Sequence, residues 1–422
     1  MLTPCVLLLC LWILFRISAS PVSFAPVGRF ASPSESEIDS RQQRRPLAAF
    51  YQARNCGLNN QLQEMLLLYY LSAQSGRDFV ALDYYDESWK KPWHQIKRRL
   101  LRIPLDLSAR WLHTFLKRST DKPGSVNMVG YKAFEDRCAG RVVRITLEWP
   151  TDTAMGETDP IRALSQQLRG YNATCLYVTN WVFDWTALTS RALVTSVDNY
   201  LAVAVSQWQW QAHLQERIRK RMQQLALDPA VAPYLAIHLR RGDFKRHCPD
   251  LASHRIAMNT WITLPQMQRT RHEGFIDGSD RSSEAILPRC LPSTTWVIEK
   301  IQQEQRYLAA ATNRTVDTLY IVSNMDGEEL QALRAALSSS FATIIDGRAW
   351  TISGPSEDPY ITSAIERNTA GLVTDIEIAT RATSFIGNGY SSLSSNIAQF
   401  RLAKAAHDPA ALHEAYDRIT LW

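Results

Sequence analysis

Short apolar runs and longer amphipathic segments follow one another along this chain in a repeating order. Residues 47–53, LAAFYQA, read as a strand, and residues 54–59, RNCGLN, as a glycine-containing turn. Residues 60–74, NQLQEMLLLYYLSAQ, have the apolar spacing of a helix, Gly76 stops it, and DFVALD (78–83) reads as a second strand. Strand, turn, helix and strand in so few residues make a βαβ unit, which requires a parallel sheet. The second half repeats the order: a helix over 294–311, a strand at TLYIVSN (318–324), a helix over 326–337, a strand at FATIID (341–346), a strand at TSFIGN (383–388) and a helix over 391–403. Asp326, with Glu329 behind it, fits the start of the second of these helices, where free N–H groups favour an acceptor and negative charge. The expected fold class is α/β, in two α/β halves.

Other stretches break the pattern. Residues 1–17, MLTPCVLLLCLWILFRI, form an apolar segment short for a membrane span of about 20 residues and in the range of a signal-peptide core. Residues 1–20 are expected to be a cleaved signal peptide or a signal anchor, and either sends the chain into the secretory pathway. Residues 21–46, rich in Ser, Pro and charge, read as a stem. The expected domains are then 47–230 and 231–422. Residues 89–119 mix basic residues with Trp and Leu, a membrane-surface or acidic-acceptor patch on one reading and a solvated helical face on the other.

Composition narrows the class. With 422 residues, 45% of them hydrophobic and 13 of them Trp, the chain holds more than one core and is not disordered. A net charge of +6 over this length does not make a nucleic-acid binder. Asn172 and Asn313 head N-x-T sequons, expected glycosylation sites in the secretory lumen. Seven cysteines include two in the leader; the remaining Cys56, Cys138, Cys175, Cys248 and Cys290 lack metal-ligand spacing and predict one or two disulfides plus a spare thiol, with no metal site.

The candidate chemistry begins at YLAIHLRRGDF (234–244), an apolar strand that runs into Arg240 and Arg241. Two guanidinium forks at the carboxyl end of a strand in an open sheet call for an anion, and a diphosphate fits them best. Two other readings stand beside it. Asp243 can pair with an arginine and finish the turn, and Arg241–Asp243 can be read as an adhesive RGD. A second constellation spans residues 375–403, where TSFIGN turns through GYSS into a helix whose first turn is full of serines. Such a helix start is an anion site or simply a capped terminus. The third, residues 54–65, carries neither a dinucleotide fingerprint nor a Walker lysine.

Taken together these motifs resemble the GDP-fucose-dependent fucosyltransferases, in particular the protein O-fucosyltransferases. HLRRGDF is similar to that family's His-Leu-Arg motif; Asp375, with FIGN ten residues on and Ser391-Ser392 behind it, resembles its C-terminal motif; and GLNNQ (57–61) resembles its N-terminal turn. The resemblance runs from about Leu47 to the end. It implies two Rossmann-like domains facing across a cleft, a GT-B-type arrangement, with GDP-fucose held mainly by the second domain. It implies Arg240 as the catalytic residue, binding the β-phosphate and stabilising the departing GDP. Donor binding is implied for His238, Arg240, Arg241, Asp375 near the guanine, Ser391, Ser392 and Leu393 at phosphate, and Gly57, Asn59 and Asn60. The implied reaction is an inverting, metal-independent transfer to a Ser or Thr hydroxyl, with no cofactor, in the endoplasmic reticulum or Golgi lumen. A glycan acceptor, or a non-catalytic nucleotide-sugar-binding or adhesion protein, remains open. The general base is open among Glu64, Asp243 and His247, because the position before Gly57 is Cys56. Asn324 stands where relatives carry a Thr-Asp pair, and no role is expected of it.

Overall fold

The structure is a computed structural model that describes residues 45–51, 58–81, 116–118, 128–150, 159–210, 212–262, 264, 266–267, 282–347 and 364–422. The leader, nearly all of the stem, Cys56, Gly57 and almost all of the basic 89–119 stretch lie outside these residues. Among the described residues no helix is long and apolar enough to cross a membrane. The chain divides into two compact units, the second made of Gln209–Trp422 with Phe115–Lys117.

The first unit carries a five-stranded parallel sheet of β1 (Leu47–Phe50), β2 (Asp78–Ala81), β3 (Met128–Gly130), β4 (Val143–Ile145) and β5 (Cys175–Val178), in the order β3-β2-β1-β5-β4. Every residue of β1 is buried, as a central parallel strand covered on both faces requires. Helix α1 (Leu58–Ser75) buries most of its length and ends where the sequence says it should. Gly76 takes φ +73°, which only glycine adopts freely, and the Gly76 and Arg77 amides donate to the Ala73 and Ser72 carbonyls, closing a Schellman cap. The Cys138–Cys175 disulfide joins helix α2 (Tyr131–Cys138) to β5.

The second unit holds α3 (Ala212–Gln224) and a second parallel sheet: β6 (Tyr234–Leu239), β7 (Thr318–Ser323), β8 (Thr343–Asp346), β9 (Ser384–Gly387) and β10 (Ile419–Leu421), in the order β8-β7-β6-β9-β10. The expected 230/231 boundary falls inside this unit, between α3 and β6. Leu235, Ile237 and Leu239 of β6 pack with Val297, Ile301 and Leu308 of α6 (Thr294–Thr312) and with Leu330, Leu333 and Leu337 of α7 (Gly327–Leu337). Each such side chain contributes about 1.5–3 kcal/mol by leaving water. Asp326 caps α7 by accepting from the Glu329 amide, as its sequence predicts. The other helices that matter below are α4 (Phe244–Ser253), α5 (Ser283–Cys290), α8 (Ala364–Arg381) and α9 (Ser392–Ala405).

In this sheet the chain moves outward from β6 in one direction through β7 and β8, then returns to lay β9 on the opposite side of β6. The order therefore reverses between β6 and β9. In open α/β sheets ligands bind at such a reversal, outside the carboxyl ends of the strands. The two motifs singled out in the sequence leave the sheet at these two ends.

Candidate anion-binding site

His238, Arg240 and Arg241 close β6, and FIGN closes β9, which pairs in parallel register with it (Ile386 opposite Ile237). The two motifs, 130 residues apart and more in sequence, thus emerge side by side. Asn324 follows β7, whose Ser323 lies opposite Leu239 on the other side of β6.

Arg240 is half-exposed and forms a two-pronged pair with Asp243, Nε to Oδ1 at 3.0 Å and Nη2 to Oδ2 at 2.7 Å, while its guanidinium lies over the Phe244 ring. Burial pushes the Asp243 carboxyl up, but Arg240 and the Asn324 amide more than offset this and hold it below its ordinary value. Asp243 stands at the N-cap of α4 without capping it by its side chain.

Arg241 is different. It is 5% exposed, its backbone N–H donates to Asn324 Oδ1 at 2.7 Å, and its Nε is buried with no hydrogen-bond partner. Burial lowers its pKa, with Glu329 partly opposing. A guanidinium in that position is costly unless an anion meets it. The buried arginine also removes the RGD from adhesive display, since the first residue of the tripeptide is inside.

Asn324 is a site residue that sequence reasoning missed. Its Oδ1 receives Arg241 N–H, and its Nδ2 donates to Asp243 Oδ1 at 2.9 Å. Gly242 leaves room for it, since a Cβ there would stand 2.8 Å from Asn324 Nδ2. The available signal was the position itself, immediately after a buried strand that ends level with β6.

At β9 the serine-rich turn behaves unlike an ordinary cap. Ser391 occupies the N-cap of α9 but makes no side-chain cap bond, and its buried Oγ has no partner; Ser395 Oγ is likewise buried and unpartnered. The first intrahelical bond recorded there is Ser395 N–H to Ser391 O, so the amides of Ser392 and Leu393 belong to the open first turn. Ser392 and Leu393 are themselves nearly buried. Open amides at the positive end of a helix, with free hydroxyls beside them, suit phosphate oxygens.

His238 braces the two strands. Its Nδ1 shares a 2.7 Å hydrogen bond with Ser394 Oγ, which also accepts from the Asn388 amide. Burial, reinforced by Arg240, drives its pKa down to about 3, so it is neutral at physiological pH. Trp422, unremarked in the sequence, donates its indole N–H to His238 O at 2.9 Å and its amide to Gly387 O at 3.1 Å, tying the ends of β6 and β9 together.

Asp375 lies on α8, where its Oδ1 accepts from the Tyr320 hydroxyl at 2.6 Å. Burial raises its carboxyl to about 7, against the Tyr320 hydrogen bond. Gly347, just past β8, abuts it, so Asp375 belongs to the β7–β8 side of the unit. His247 on α4 is also lowered, chiefly by burial and then by Arg240.

In the first unit Asn59 and Asn60 sit half-buried in the first turn of α1, and Glu64 is buried one turn on. Asn172 and Asn313 are both exposed, Asn313 in a left-handed conformation at the end of α6. The five candidate cysteines yield two disulfides, Cys138–Cys175 and Cys248–Cys290.

No family model matches the chain, and no curated protein matches it in sequence. Among solved structures it is similar to POFUT1 in complex with GDP, at 12% identity and a TM-score of 0.49, over 90% of this chain and 98% of that one. It is similar to POFUT1 in complex with GDP-fucose at 13% identity and 0.47, over 85% and 94% of the two chains. It is similar to NodZ alpha-1,6-fucosyltransferase soaked with GDP-fucose at 10% identity and 0.40, over 85% and 92%.

Proposed function

We propose that the protein transfers fucose from GDP-fucose to a Ser or Thr hydroxyl of a protein, with inversion and without a metal, in the lumen of the secretory pathway. The observation that carries this reading is the presence of unsatisfied buried donors after both strands of one sheet reversal: Arg241 Nε after β6, and Ser391 Oγ with the open amides of α9 after β9. The motif resemblance supplies the identity of the anion, a guanosine diphosphate carrying fucose.

The reaction then has a simple charge balance. The acceptor oxygen bonds to the anomeric carbon as that carbon's bond to the β-phosphate oxygen breaks. The electron pair leaves with GDP, and the hydroxyl proton passes to a base or to the departing phosphate. Negative charge grows on the diphosphate, and the proposal assigns its stabilisation to Arg240, Arg241 and the N-terminus of α9. Arg240 is the catalytic residue of this proposal. Its exposed pair with Asp243 is worth no more than about 1 kcal/mol, so an incoming phosphate displaces the carboxylate readily. Within the second unit, Asp375 is the remaining proposed donor contact.

Labelled GDP-fucose, incubated in EDTA with the full chain and a pool of secretory proteins, tests this directly. Label released by alkaline β-elimination supports a Ser/Thr acceptor, and Arg240→Ala should abolish it. Label released only with intact glycans makes the acceptor a glycan. No transfer at all leaves the site as a binding site alone.

A further inference from the structure

Helix α4 begins at Phe244, immediately after the Arg240–Asp243 pair, and carries Cys248 in its second turn. Cys248 is bonded to Cys290, the last residue of α5, and both are fully buried. The backbone carbonyl of Cys290 accepts a 2.8 Å hydrogen bond from Asn388 Nδ2. Asn388 is fully buried too, and its Oδ1 accepts from the Tyr390 amide at 2.9 Å, which fixes the turn leading into Ser391. Phe244, Cys248, Cys290 and Tyr390 share one apolar cluster around this link. One disulfide and one buried hydrogen bond in series therefore connect the segment bearing the two arginines with the turn bearing the open helix terminus.

We propose that the Cys248–Cys290 disulfide and Asn388 form a positioning device that sets the spacing between Arg240–Arg241 and the N-terminus of α9. The inference rests on the anion-site reading above and adds to it the elements that hold its two halves in register. Neither cysteine touches the anion. In the anion-site reading a diphosphate spans both halves, and a displacement of about 1 Å between groups that act together can cost on the order of a hundredfold.

A purely structural disulfide would also be lost at a cost, so the test needs an internal control, and Cys138–Cys175 supplies one. It encloses 37 residues of separation against 42, so chain entropy makes the two bonds comparable in stability, yet it lies in the first unit. Dissociation constants for inorganic pyrophosphate and for GDP are measured on the full chain, at a temperature where circular dichroism shows each variant folded. Cys248→Ser/Cys290→Ser should weaken both ligands about tenfold or more, and Cys138→Ser/Cys175→Ser should stay within about twofold of the parent. Asn388→Ala, which leaves the disulfide intact, should weaken both ligands as well, and adding it to Cys248→Ser/Cys290→Ser should cost less than it does alone. If the first pair fails to fold, Asn388→Ala decides by itself. Unchanged affinity in folded Cys248→Ser/Cys290→Ser or in Asn388→Ala overturns the proposal, as does equal weakening by both disulfide pairs. A parent that binds pyrophosphate but not GDP defeats the donor reading and leaves this inference testable. A parent that binds neither defeats both.

Discussion

Arg240 and Asp243 are joined by two contacts of 3.0 and 2.7 Å, whereas the guanidinium Nε of Arg241, the very next residue, is buried without a partner. Two adjacent arginines at one strand end thus stand in different states, one paired and half-exposed, the other inside with its Nε unbonded. An incoming anion would have to compete for the first and would relieve the second.

The competition is measurable. Asp243→Asn keeps the shape of the side chain and removes its charge. Inorganic pyrophosphate should then bind a few-fold tighter, and stability should change by less than about 1 kcal/mol, as expected for a pair half open to water. Weaker binding in a titration of this variant would show instead that Asp243 orients Arg240.

Relief of the buried charge gives a second expectation, with opposite signs for stability and function. Arg241→Met fills the same volume without a charge. It should raise the unfolding free energy by about 1–3 kcal/mol in denaturant titration, because the cost of burying a guanidinium with an unbonded Nε outweighs the attraction of Glu329. Diphosphate affinity should fall about tenfold or more in the same protein, the loss of a charge-assisted hydrogen bond. A variant that lost stability would place an undetected partner at Arg241.

The acid on α8 gives a pH signature. The Asp375 carboxyl is raised from 3.8 to about 7 in the folded protein. The folded state therefore binds its proton more tightly than the unfolded chain, and its contribution to stability is full below pH 3.8 and lost as pH rises toward 7. His238 works the other way: lowered from 6.5 to about 3, it costs stability as pH falls through that range. Asp375→Asn isolates the first effect, since an amide oxygen can still accept from Tyr320. Melting temperatures measured from pH 4 to 8 should approach one another toward pH 4, with the variant increasingly the more stable up to about pH 7. Parallel curves would mean that Asp375 is ionised throughout.

The strand-and-helix order was legible in the sequence because a parallel sheet buries its strands on both faces. TLYIVS and YLAIHL read as continuous apolar runs, and Gly76 and Asp326 mark helix ends by chemistry that is local. The anion motifs were legible for the same reason, as charge and serine attached to strand ends. What linked them was not. Asn324, Trp422, and the contact of Asn388 with Cys290 act across 81 to 184 residues of chain, and nothing in local spacing announces a hydrogen bond of that range. The choice between capping and ligand binding at Ser391 was also hidden, because it depends on where a hydroxyl points.

Gly242 gives a fourth prediction from one of those hidden contacts. An added Cβ would lie 2.8 Å from Asn324 Nδ2 and 3.1 Å from its backbone oxygen, and backbone does not yield easily. Gly242→Ala should cost about 1–3 kcal/mol in stability and loosen the hold of Asn324 on Arg241 N–H and Asp243. Pyrophosphate affinity should fall with it. A variant with parental stability and affinity would show that Asn324 is not fixed as described.

The most direct test of the central claim is calorimetric titration of the full chain with GDP-fucose, GDP, UDP and ADP in EDTA, repeated with Arg240→Ala. The account predicts binding of GDP-fucose and GDP, little or none of UDP and ADP, and loss of the guanosine ligands in Arg240→Ala with the fold intact. Equal binding of all three diphosphates would reduce the site to an anion cradle without a nucleoside preference. Binding of none, or full binding by Arg240→Ala, would contradict the donor site.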